Sequence, residues 1–412
     1  MKALSNSLLK EVEKEVTEHY GERVLQMVKA GFSTIATLAL QIYQPTSLIY
    51  VGPSGSAKTL VCTLLTPDEK HQDLKKQIIR VDKFTPASFV THASNVPKKE
   101  LENIDLLPRI KDRCLITKEL APLFRGKETD VQDNFSILIS VLDGKGYVST
   151  SGVQGLRGYD ENISFSWLGA TTPLSNQVHR IMAQLGTRLV FYNTDGEEKT
   201  RDELLEFAKR KNTTDAEAKC RQICNDFLEG FFKSLPIRSI SEGDLDFPLH
   251  LLKRLVRYVE LMCYLRAGFF MDTTKAGVKI FSKPDMEIPY RAIRIFKNIA
   301  YGSALIHGRN EVDEDDLNQL EHIAYSSMPE QRRLVFQALV ESGGEMTTDE
   351  VIKHTKMSRP TALHYMEELG HLGVVSFERG DSSTPSVISL KSDFSWLIKP
   401  SVKESGVVSA TA

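Results

Sequence analysis

The stretch LIYVGPSGSAKTLVCTLL, residues 48–65, constrains the fold of this chain more than any other feature. An apolar run leads into a Gly/Ser-rich loop, then Lys58 and Thr59, then a second apolar run. This order predicts a strand, a tight loop and a helix. The loop fits the phosphate-binding pattern G-x-x-x-x-G-K-[ST] except that Ala57 replaces the second glycine. A phosphate-binding loop is the leading prediction, and a plain Gly/Ser turn is the alternative.

The residues expected to hold phosphates lie on this one short segment. In such a loop, backbone N–H groups point at phosphate oxygens and the start of the following helix adds its positive dipole end. Lys58 would reach the β- and γ-phosphates, and the Thr59 hydroxyl would bind Mg²⁺. Gly52 and Gly55 would supply the unusual backbone dihedrals. The predicted nucleotide contacts in the loop are Gly52, Pro53, Ser54, Gly55, Ser56, Ala57, Lys58 and Thr59.

A nucleotide hydrolase also needs an acidic side chain at the end of a neighbouring strand, to hold Mg²⁺ or to orient the attacking water. Glu119 in CLITKEL is the first choice, for either role, and Asp82 after IIRV is a weaker alternative. The usual arrangement is two acids in a row, and here Lys118 takes one of the two places. An exposed strand-end Glu outside any site is the competing interpretation.

Two further segments carry polar groups suited to such a site. FSWLGATTPL predicts a buried strand that ends at Thr171 and Thr172, where a hydroxyl could contact the γ-phosphate or the water. HRIMAQLGTRLVFY supplies Arg180 and Arg188 before the next apolar strand. An arginine there can reach a neighbouring subunit's nucleotide and neutralise transition-state charge, and Arg188 is favoured for this role. Ordinary strand-end threonines and surface arginines are the competing interpretations.

Hydrophobic periodicity divides the chain into five regions. Residues 1–45 predict two helices, and residues 46–198 alternate strands with helices, which implies a parallel three-layer α/β core. Residues 199–327 predict an almost wholly helical region, 328–400 a small separate domain and 401–412 a disordered tail. No apolar run approaches the roughly 18 residues of a membrane span. Because the N-terminus also lacks a secretory pattern, we expect a cytoplasmic protein without membrane contact.

The composition excludes fewer classes of function than the motifs do. The 412 residues are 41% hydrophobic and 26% charged with a net charge of −2, which is typical of soluble globular proteins and gives no overall sign of nucleic-acid binding. The five cysteines contain no C-x-x-C pair, so buried reduced thiols are expected rather than a zinc site.

The order of these segments over residues 46–327 resembles an AAA+ ATPase, in the branch that contains the MCM helicases and the MoxR-like ATPases. NFSILISVLDGKGYVSTSG resembles the helix and hairpin that precede the polar-tipped strand in that branch. LITKELAPL is also similar to segments of ATPases of phages and mobile elements. The departures are Ala57 for glycine, Lys118 for aspartate, and Thr171 and Thr172 for asparagine.

The resemblance implies a P-loop core with a helical lid that uses ATP and Mg²⁺ and assembles as a homo-oligomeric ring, such as a hexamer. The segment IPYRAIRIFKNIAYGSALIHGRNEVDEDDL resembles the last lid helices, where an arginine contacts the γ-phosphate of its own subunit; this places that arginine at Arg291. The hairpin between Tyr147 and Asn162, with Arg157 near its tip, is the predicted pore loop for DNA.

Thr347 and Glu350 predict a capping box for a second helix, and Ser358 predicts the cap of a third helix with Pro360 in its first turn. The segment VVSFERGDSSTPSVISL predicts two strands around a polar loop. With this pattern, residues 330–398 resemble the winged helix-turn-helix domains of bacterial and archaeal regulators and of MCM C-termini. In such domains the third helix enters the major groove of DNA, and here that helix would begin after Ser358. The predicted DNA contacts are Ser358, Arg359, Thr361 and His364 on this helix and Arg379 on the wing. From residue 329 onward, nine Lys/Arg stand against eleven Asp/Glu, so a protein-docking module remains the alternative.

These features predict an ATPase that acts on DNA, by unwinding it or by remodelling protein–DNA complexes, for example in the replication of a mobile element. Two alternatives stay open: an ATP-gated transcriptional regulator without motor activity, and a nucleotide-sensing scaffold with little hydrolysis. DNA-stimulated hydrolysis with strand displacement would favour the motor. Tight sequence-specific binding with weak hydrolysis would favour the regulator.

Overall fold

The structure is a computed structural model in which the chain divides into two compact units. The first comprises Met1–Met262 and Glu287–Ser327, and the second Cys263–Met286 and Met328–Ala412. The residues described are 2–91, 97–151, 155–175, 178–179, 181–182, 186–194, 201, 205, 208–209, 213–269, 271–273, 279–381 and 383–398. The predicted tail 401–412 lies outside them.

A five-stranded parallel sheet forms the centre of the first unit. The strands of this unit are β1 (Thr46–Val51), β2 (Ile78–Arg80), β3 (Cys114–Thr117), β4 (Tyr147–Ser151), β5 (Gly155–Tyr159), β6 (Ser166–Thr171) and β7 (Val190–Asn193). β4 and β5 pair as an antiparallel hairpin, and the other five form the sheet in the order β2-β3-β6-β1-β7. Because all five run parallel, the segments that follow β1, β3 and β6 meet at one edge. We call it the carboxyl edge, and the opposite one the amino edge.

The first unit also contains helices on both sides of the sheet. These helices are α1 (Lys2–Tyr20), α2 (Glu22–Ala36), α3 (Lys58–Leu64), α4 (Leu74–Gln77), α5 (Lys98–Ile104), α6 (Leu106–Ile110), α7 (Glu128–Leu142), α8 (Thr213–Ser234), α9 (Leu249–Arg266, whose last turn belongs to the second unit), α10 (Tyr290–Ile306) and α11 (Glu314–Ser326). Among the described residues, no helix is both long enough and apolar enough to span a membrane.

Successive residues of the central strands face opposite sides of the sheet, and both sides are buried. Trp167 and Phe191 belong to one apolar cluster together with Phe135 of α7. On the other side, the Tyr50 hydroxyl donates a hydrogen bond to the Met27 carbonyl of α2 at 2.8 Å. Two covered faces are the reason that these strands are continuously apolar rather than alternating. The predicted parallel α/β core flanked by helices is therefore confirmed.

The prediction of an almost wholly helical region over 199–327 is wrong at one place. β8 (Met271–Thr273) and β9 (Lys279–Phe281) form an antiparallel hairpin. The segment MDTTKAGVKIF carries β-branched residues around a glycine, which is a hairpin signal too short to stand out beside long helical patterns. The two helices predicted for residues 1–45 are present as α1 and α2; α1 packs on α8, and α2 packs on α10.

The second unit is a small helical and antiparallel domain. Its other elements are α12 (Glu330–Glu341), β10 (Glu345–Thr347), α13 (Thr348–Thr355), α14 (Arg359–His371), β11 (Val375–Glu378) and β12 (Val387–Leu390), with the strands in the order β10-β12-β11. Thr347 and Glu350 form a capping box at the start of α13. The β8–β9 hairpin joins this unit, where the rings of Phe281 and His371 stack with centroids 4.7 Å apart.

Candidate functional site

The loop between β1 and α3 lies at the carboxyl edge and surrounds the side chain of Lys58. The buried Nζ atom of Lys58 donates to the carbonyl oxygens of Gly52 and Pro53, each at 2.6 Å, and to Ser56 Oγ at 3.1 Å. These three loop acceptors hold the ammonium group inside the loop. A charge enclosed in this way is positioned before any ligand arrives.

Ala57 adopts a left-handed conformation, with φ 66° and ψ 4°, directly before α3. Of the two glycines predicted to supply the unusual dihedrals, Gly55 has a positive φ of 84°, whereas Gly52 is not among the positive-φ residues. An L-residue in this conformation costs roughly 1–2 kcal/mol, which a glycine would avoid. The loop therefore keeps a backbone suited to the pattern's glycine at the cost of strain at Ala57, and such strain concentrates at functional sites.

Two neighbouring strands fix the position of this loop. The Ser56 and Thr194 hydroxyl groups lie 2.7 Å apart, and Thr194 follows β7 directly. The Gly52 N–H donates to the Thr171 carbonyl at the end of β6, at 3.4 Å. On the far side of α3, the Asn225 side chain of α8 donates to the Leu64 carbonyl at 3.1 Å. The loop is thus held from β6, from β7 and through its helix.

Glu119 follows β3 at the same carboxyl edge. Its side chain is exposed, and its Oε1 atom accepts a hydrogen bond from the Ala121 N–H at 2.8 Å. The Leu120 N–H donates to the Ala170 carbonyl of β6 at 2.8 Å, which fixes the segment after β3 against the neighbouring strand. Glu119 is therefore an exposed carboxylate on an anchored segment, as a metal ligand or water-orienting group requires.

Lys118, which occupies the place of a second acid, and Asp82, the other acid candidate, differ from Glu119 in their surroundings. Lys118 is half-buried, and burial lowers the pKa of its ammonium group. Asp82, the weaker acid candidate, accepts from Arg80 Nε at 2.6 Å, and this hydrogen bond lowers the pKa of Asp82. The Asp82 carboxylate is thus already engaged by a cation, which leaves Glu119 as the better placed of the two acids.

Thr171 and Thr172 lie at the tip of β6, between the loop and Glu119. Thr171 pairs in register with Val51, the last residue of β1. Its buried Oγ1 atom has no hydrogen-bond partner among the described residues. Thr172 is half-buried, and its Oγ1 accepts a hydrogen bond from Arg125 Nη2 at 3.3 Å. The polar tip therefore includes Arg125, a residue that no sequence motif indicated.

Arg188 lies at the amino edge, away from the loop of its own subunit. Its carbonyl accepts a hydrogen bond from Ser47 Oγ, near the start of β1, at 2.7 Å. Its Nε and Nη2 atoms lie 3.1 and 3.2 Å from the two carboxylate oxygens of Asp143. The six residues of β1 separate the two edges by roughly 20 Å. Arg188 therefore cannot contact phosphates in its own loop, and its role toward a neighbour stays a prediction. Arg180 lies outside the described residues.

The structure places Arg291 on the same amino edge, so the predicted contact with its own subunit's γ-phosphate is wrong for this arrangement. Arg291 Nη2 lies 3.4 Å from Asp143 Oδ1. The chain just before α10 is tied to the segment before β7, because Glu287 accepts hydrogen bonds from the Thr187 N–H and hydroxyl, both at 2.7 Å. These contacts hold the start of α10 at the edge opposite to the loop.

The prediction that Arg157 contacts DNA near the tip of the hairpin is wrong, because its side chain is buried. Its Nη2 donates to Asp105 Oδ2 at 2.9 Å, and the Tyr159 hydroxyl donates to the same oxygen at 2.8 Å. Asp105 is fully buried and also accepts from the Thr91 N–H and hydroxyl. A buried, paired guanidinium anchors the β4–β5 hairpin and is not presented to DNA. The hairpin tip, 152–154, lies outside the described residues.

The predicted DNA contacts of the second unit lie close to carboxylates. Arg359 Nη1 is 2.8 Å from an oxygen of Asp349, and His364 Nε2 is 3.1 Å from one of Glu368. Arg379 lies 3.9 Å from Glu367. The Thr361 hydroxyl is 2.7 Å from the hydroxyl of Ser358, the N-cap of α14. Arg359 and Arg379 are thus each close to an acidic neighbour, which weakens their attraction for a phosphate backbone.

The carboxyl edge offers oxygen ligands suited to Mg²⁺. Among the described residues, no cluster of three or more His, Cys, Asp or Glu could hold a metal by itself. Thr59 is exposed in the first turn of α3, and Glu119 is exposed after β3. Mg²⁺ is commonly held by one or two protein oxygens together with substrate phosphates and water. Thr59 and Glu119 therefore fit Mg²⁺ as partners of a bound nucleotide.

No protein-family model and no curated protein sequence matches this chain. What defines the site is the parallel α/β sheet with a strained, lysine-enclosing loop at its carboxyl edge. The structure gathers Lys58, Thr59, Glu119 and Thr172 at that edge, and it places Arg188 and Arg291 at the other.

The strain at Ala57 gives a prediction about stability. Ala57→Gly should raise the free energy of unfolding by roughly 0.5–1 kcal/mol, because relief of the left-handed strain outweighs the added flexibility of the unfolded chain. Chemical denaturation of both proteins measures the change. The matched control is Ala218→Gly on the exposed part of α8, which should lower stability by about 0.5–1 kcal/mol. Equal destabilisation by both substitutions would contradict the left-handed geometry at Ala57.

Proposed function

We propose that this chain is an AAA+-like ATPase that binds ATP with Mg²⁺ at the carboxyl edge and hydrolyses it. The observation that carries the proposal is the loop between β1 and α3. It encloses Lys58, and it adopts a left-handed turn at Ala57, where the phosphate-binding pattern has glycine. Thr59, Glu119 and the β6 tip lie at the same edge, where a nucleotide hydrolase needs its polar groups.

We assign a different role in hydrolysis to each of the residues at this edge. Phosphate oxygens replace some of the loop acceptors that now hold Lys58, so its ammonium group neutralises the β- and γ-phosphates. The oxygen of a water molecule bonds to the γ-phosphorus and releases a proton to a phosphate oxygen or to solvent, the bond to the β–γ bridging oxygen breaks, and ADP and phosphate leave. Glu119 either orients this water or supplies a ligand to Mg²⁺, which neutralises phosphate charge when bound. The Thr172 hydroxyl is positioned to contact the γ-phosphate or the water.

Lys58→Ala should abolish ATP binding and turnover, because Lys58 is the loop side chain that brings positive charge to the phosphates. Binding of a fluorescent ATP analogue and release of inorganic phosphate measure the two effects. Lys75→Ala, which removes an exposed lysine from the short helix α4 before β2, is the matched control and should leave both unchanged. Undiminished affinity and turnover in Lys58→Ala would remove the proposal, provided that its circular dichroism spectrum matches the wild type.

We further propose that the active form is a homo-oligomeric ring. Arg188 and Arg291 share Asp143 at the amino edge, roughly 20 Å from the loop of their own subunit. In a head-to-tail ring, the amino edge of one subunit can face the carboxyl edge of the next. Both arginines would then act on a neighbour's nucleotide, which revises the own-subunit role predicted for Arg291.

Mixing experiments test this assembly. Arg188→Ala and Arg291→Ala should each lower turnover, for Arg188 by up to a factor on the order of 10³. Either variant should regain activity when mixed with Lys58→Ala, because each partner supplies the part that the other lacks. The control mixture is Glu119→Gln with Lys58→Ala, which should stay inactive since both defects lie at the same edge. Rescue of neither arginine variant, with turnover independent of protein concentration, would contradict the shared site.

We propose DNA as the macromolecular partner, through a winged-helix fold of the second unit, in the cytoplasm. The support is the capped helix α14 beside a three-stranded antiparallel sheet, with Arg359 in its first turn. The carboxylates beside Arg359 and Arg379 weaken attraction to a phosphate backbone, and they support a second candidate function, that of a nucleotide-gated regulator or a protein-docking module. Unwinding or remodelling of protein–DNA complexes remains the first proposal.

Substitutions of Arg359 and of its partner Asp349 should change DNA binding by the full chain in opposite directions. Arg359→Ala should weaken binding to its preferred duplex about tenfold or more, because one good Arg–guanine contact is worth about 1–3 kcal/mol. Asp349→Asn should strengthen binding, since it frees the guanidinium. Fluorescence anisotropy with mixed duplexes at low salt measures both. No measurable affinity in either variant or the wild type would favour protein docking.

A further inference from the structure

Arg125 is a cation at the carboxyl edge that the proposed mechanism has not used. It follows the short 3-10 turn Ala121–Phe124 after Glu119, and its side chain is exposed. Its guanidinium reaches the tip of β6, where Nη2 donates to Thr172 Oγ1 at 3.3 Å. In the part of the chain that the structure describes, no carboxylate pairs with Arg125. An arginine with only a neutral hydroxyl as partner has capacity to bind an anion.

We propose that Arg125 is a second phosphate-binding residue, which contacts the terminal phosphate of a nucleoside triphosphate in its own subunit. This inference rests on the proposed ATP binding at the loop. It assigns to Arg125 the own-subunit contact that the position of Arg291 does not allow. The consequence is selectivity, because a residue that binds only the terminal phosphate distinguishes ATP from ADP.

The backbone around Arg125 is held firmly enough for such a contact. Leu120, Leu123 and Phe124 are buried in the apolar cluster on one face of the sheet. The Leu120 N–H is hydrogen-bonded to β6, and the Ala121 N–H to Glu119. Functional groups are placed most accurately when packing and hydrogen bonds lock their supports. The same anchored segment thus presents Glu119 at its start and Arg125 at its end.

The order of the strands places Arg125 on the side of the site where the terminal phosphate must lie. β6 stands between β1, which leads into the loop, and β3, which leads into Glu119. Lys58 reaches the β- and γ-phosphates, and the acid acts at the γ-phosphate. The terminal phosphate therefore lies between Lys58 and Glu119, next to the β6 tip that Arg125 contacts.

The chemistry of the contact favours a phosphate over the present partner. The distance of 3.3 Å to Thr172 is long for a hydrogen bond, and the hydroxyl carries no charge. Hydrogen bonds between a guanidinium and a phosphate are shorter and roughly twice as strong as neutral ones. The planar fork of arginine also matches two phosphate oxygens at once, which lysine cannot do. Exchange of Thr172 for a phosphate thus replaces a weak contact with a strong one.

Nucleotide selectivity of the full chain tests this inference. Dissociation constants for a non-hydrolysable ATP analogue and for ADP, both with Mg²⁺, are measured for the wild type, Arg125→Ala and Arg125→Lys. Arg125→Ala should lose about ten- to a hundredfold in affinity for the triphosphate, with ADP affinity unchanged. Arg125→Lys keeps the charge without the fork and should lose less. The matched control is Arg109→Ala, an exposed arginine of α6 before β3, which should change neither constant.

The outcomes separate this inference from the proposed function. If the wild type binds both nucleotides and Arg125→Ala keeps the wild-type ratio of affinities, the role of Arg125 is overturned while the ATP site stands. Equal loss of both nucleotides in Arg125→Ala also overturns it, because that pattern indicates damage to the loop. If the wild type binds neither nucleotide, the proposed ATP site itself fails. Selective loss of the triphosphate, with an unchanged melting temperature, supports the assignment.

Discussion

The parallel pairing of β1 with β6 and β7 is the constraint on which every role proposed for the first unit depends. Parallel strands carry all their carboxyl ends to one edge, so the loop after β1, the tip of β6 and the segment after β3 meet without any further device. The same pairing sends Arg188 and the start of α10 to the opposite edge. A separation of roughly 20 Å between the edges then divides the residues that we propose to hold a nucleotide from those that we propose to face a neighbouring subunit.

The loop between β1 and α3 contains features that lower the stability of the fold. Ala57 takes a backbone conformation that glycine would adopt without strain, and Lys58 is enclosed by loop acceptors instead of water. Neither feature helps an ordinary turn between a strand and a helix. Both make sense for a loop that must present backbone N–H groups and one positive charge to an anion. The departure from the glycine pattern therefore alters the energy of the loop more than its shape.

The elements that local patterns specify were predictable from the sequence. The strand–loop–helix around Lys58 and the apolar strands of the sheet follow from periodicity and loop composition. Contacts between segments far apart in the sequence could not be predicted from local patterns. The burial of Arg157 depends on its ion pair with Asp105. The position of Arg291 depends on Asp143 and on the contact between Glu287 and Thr187. Arg125 becomes a candidate site residue only through its contact with Thr172. The segment 263–286 likewise joins the second unit through packing on partners far along the chain.

We propose that this chain hydrolyses ATP at sites completed by neighbouring subunits. The most direct measurement is the rate of phosphate release from ATP and Mg²⁺ by the purified full chain, per mole of protein, over a wide range of protein concentration. We expect a specific rate that rises with concentration and levels off as the ring assembles. Absence of phosphate release at every concentration would contradict ATP hydrolysis, and a specific rate independent of concentration would contradict sites shared between subunits.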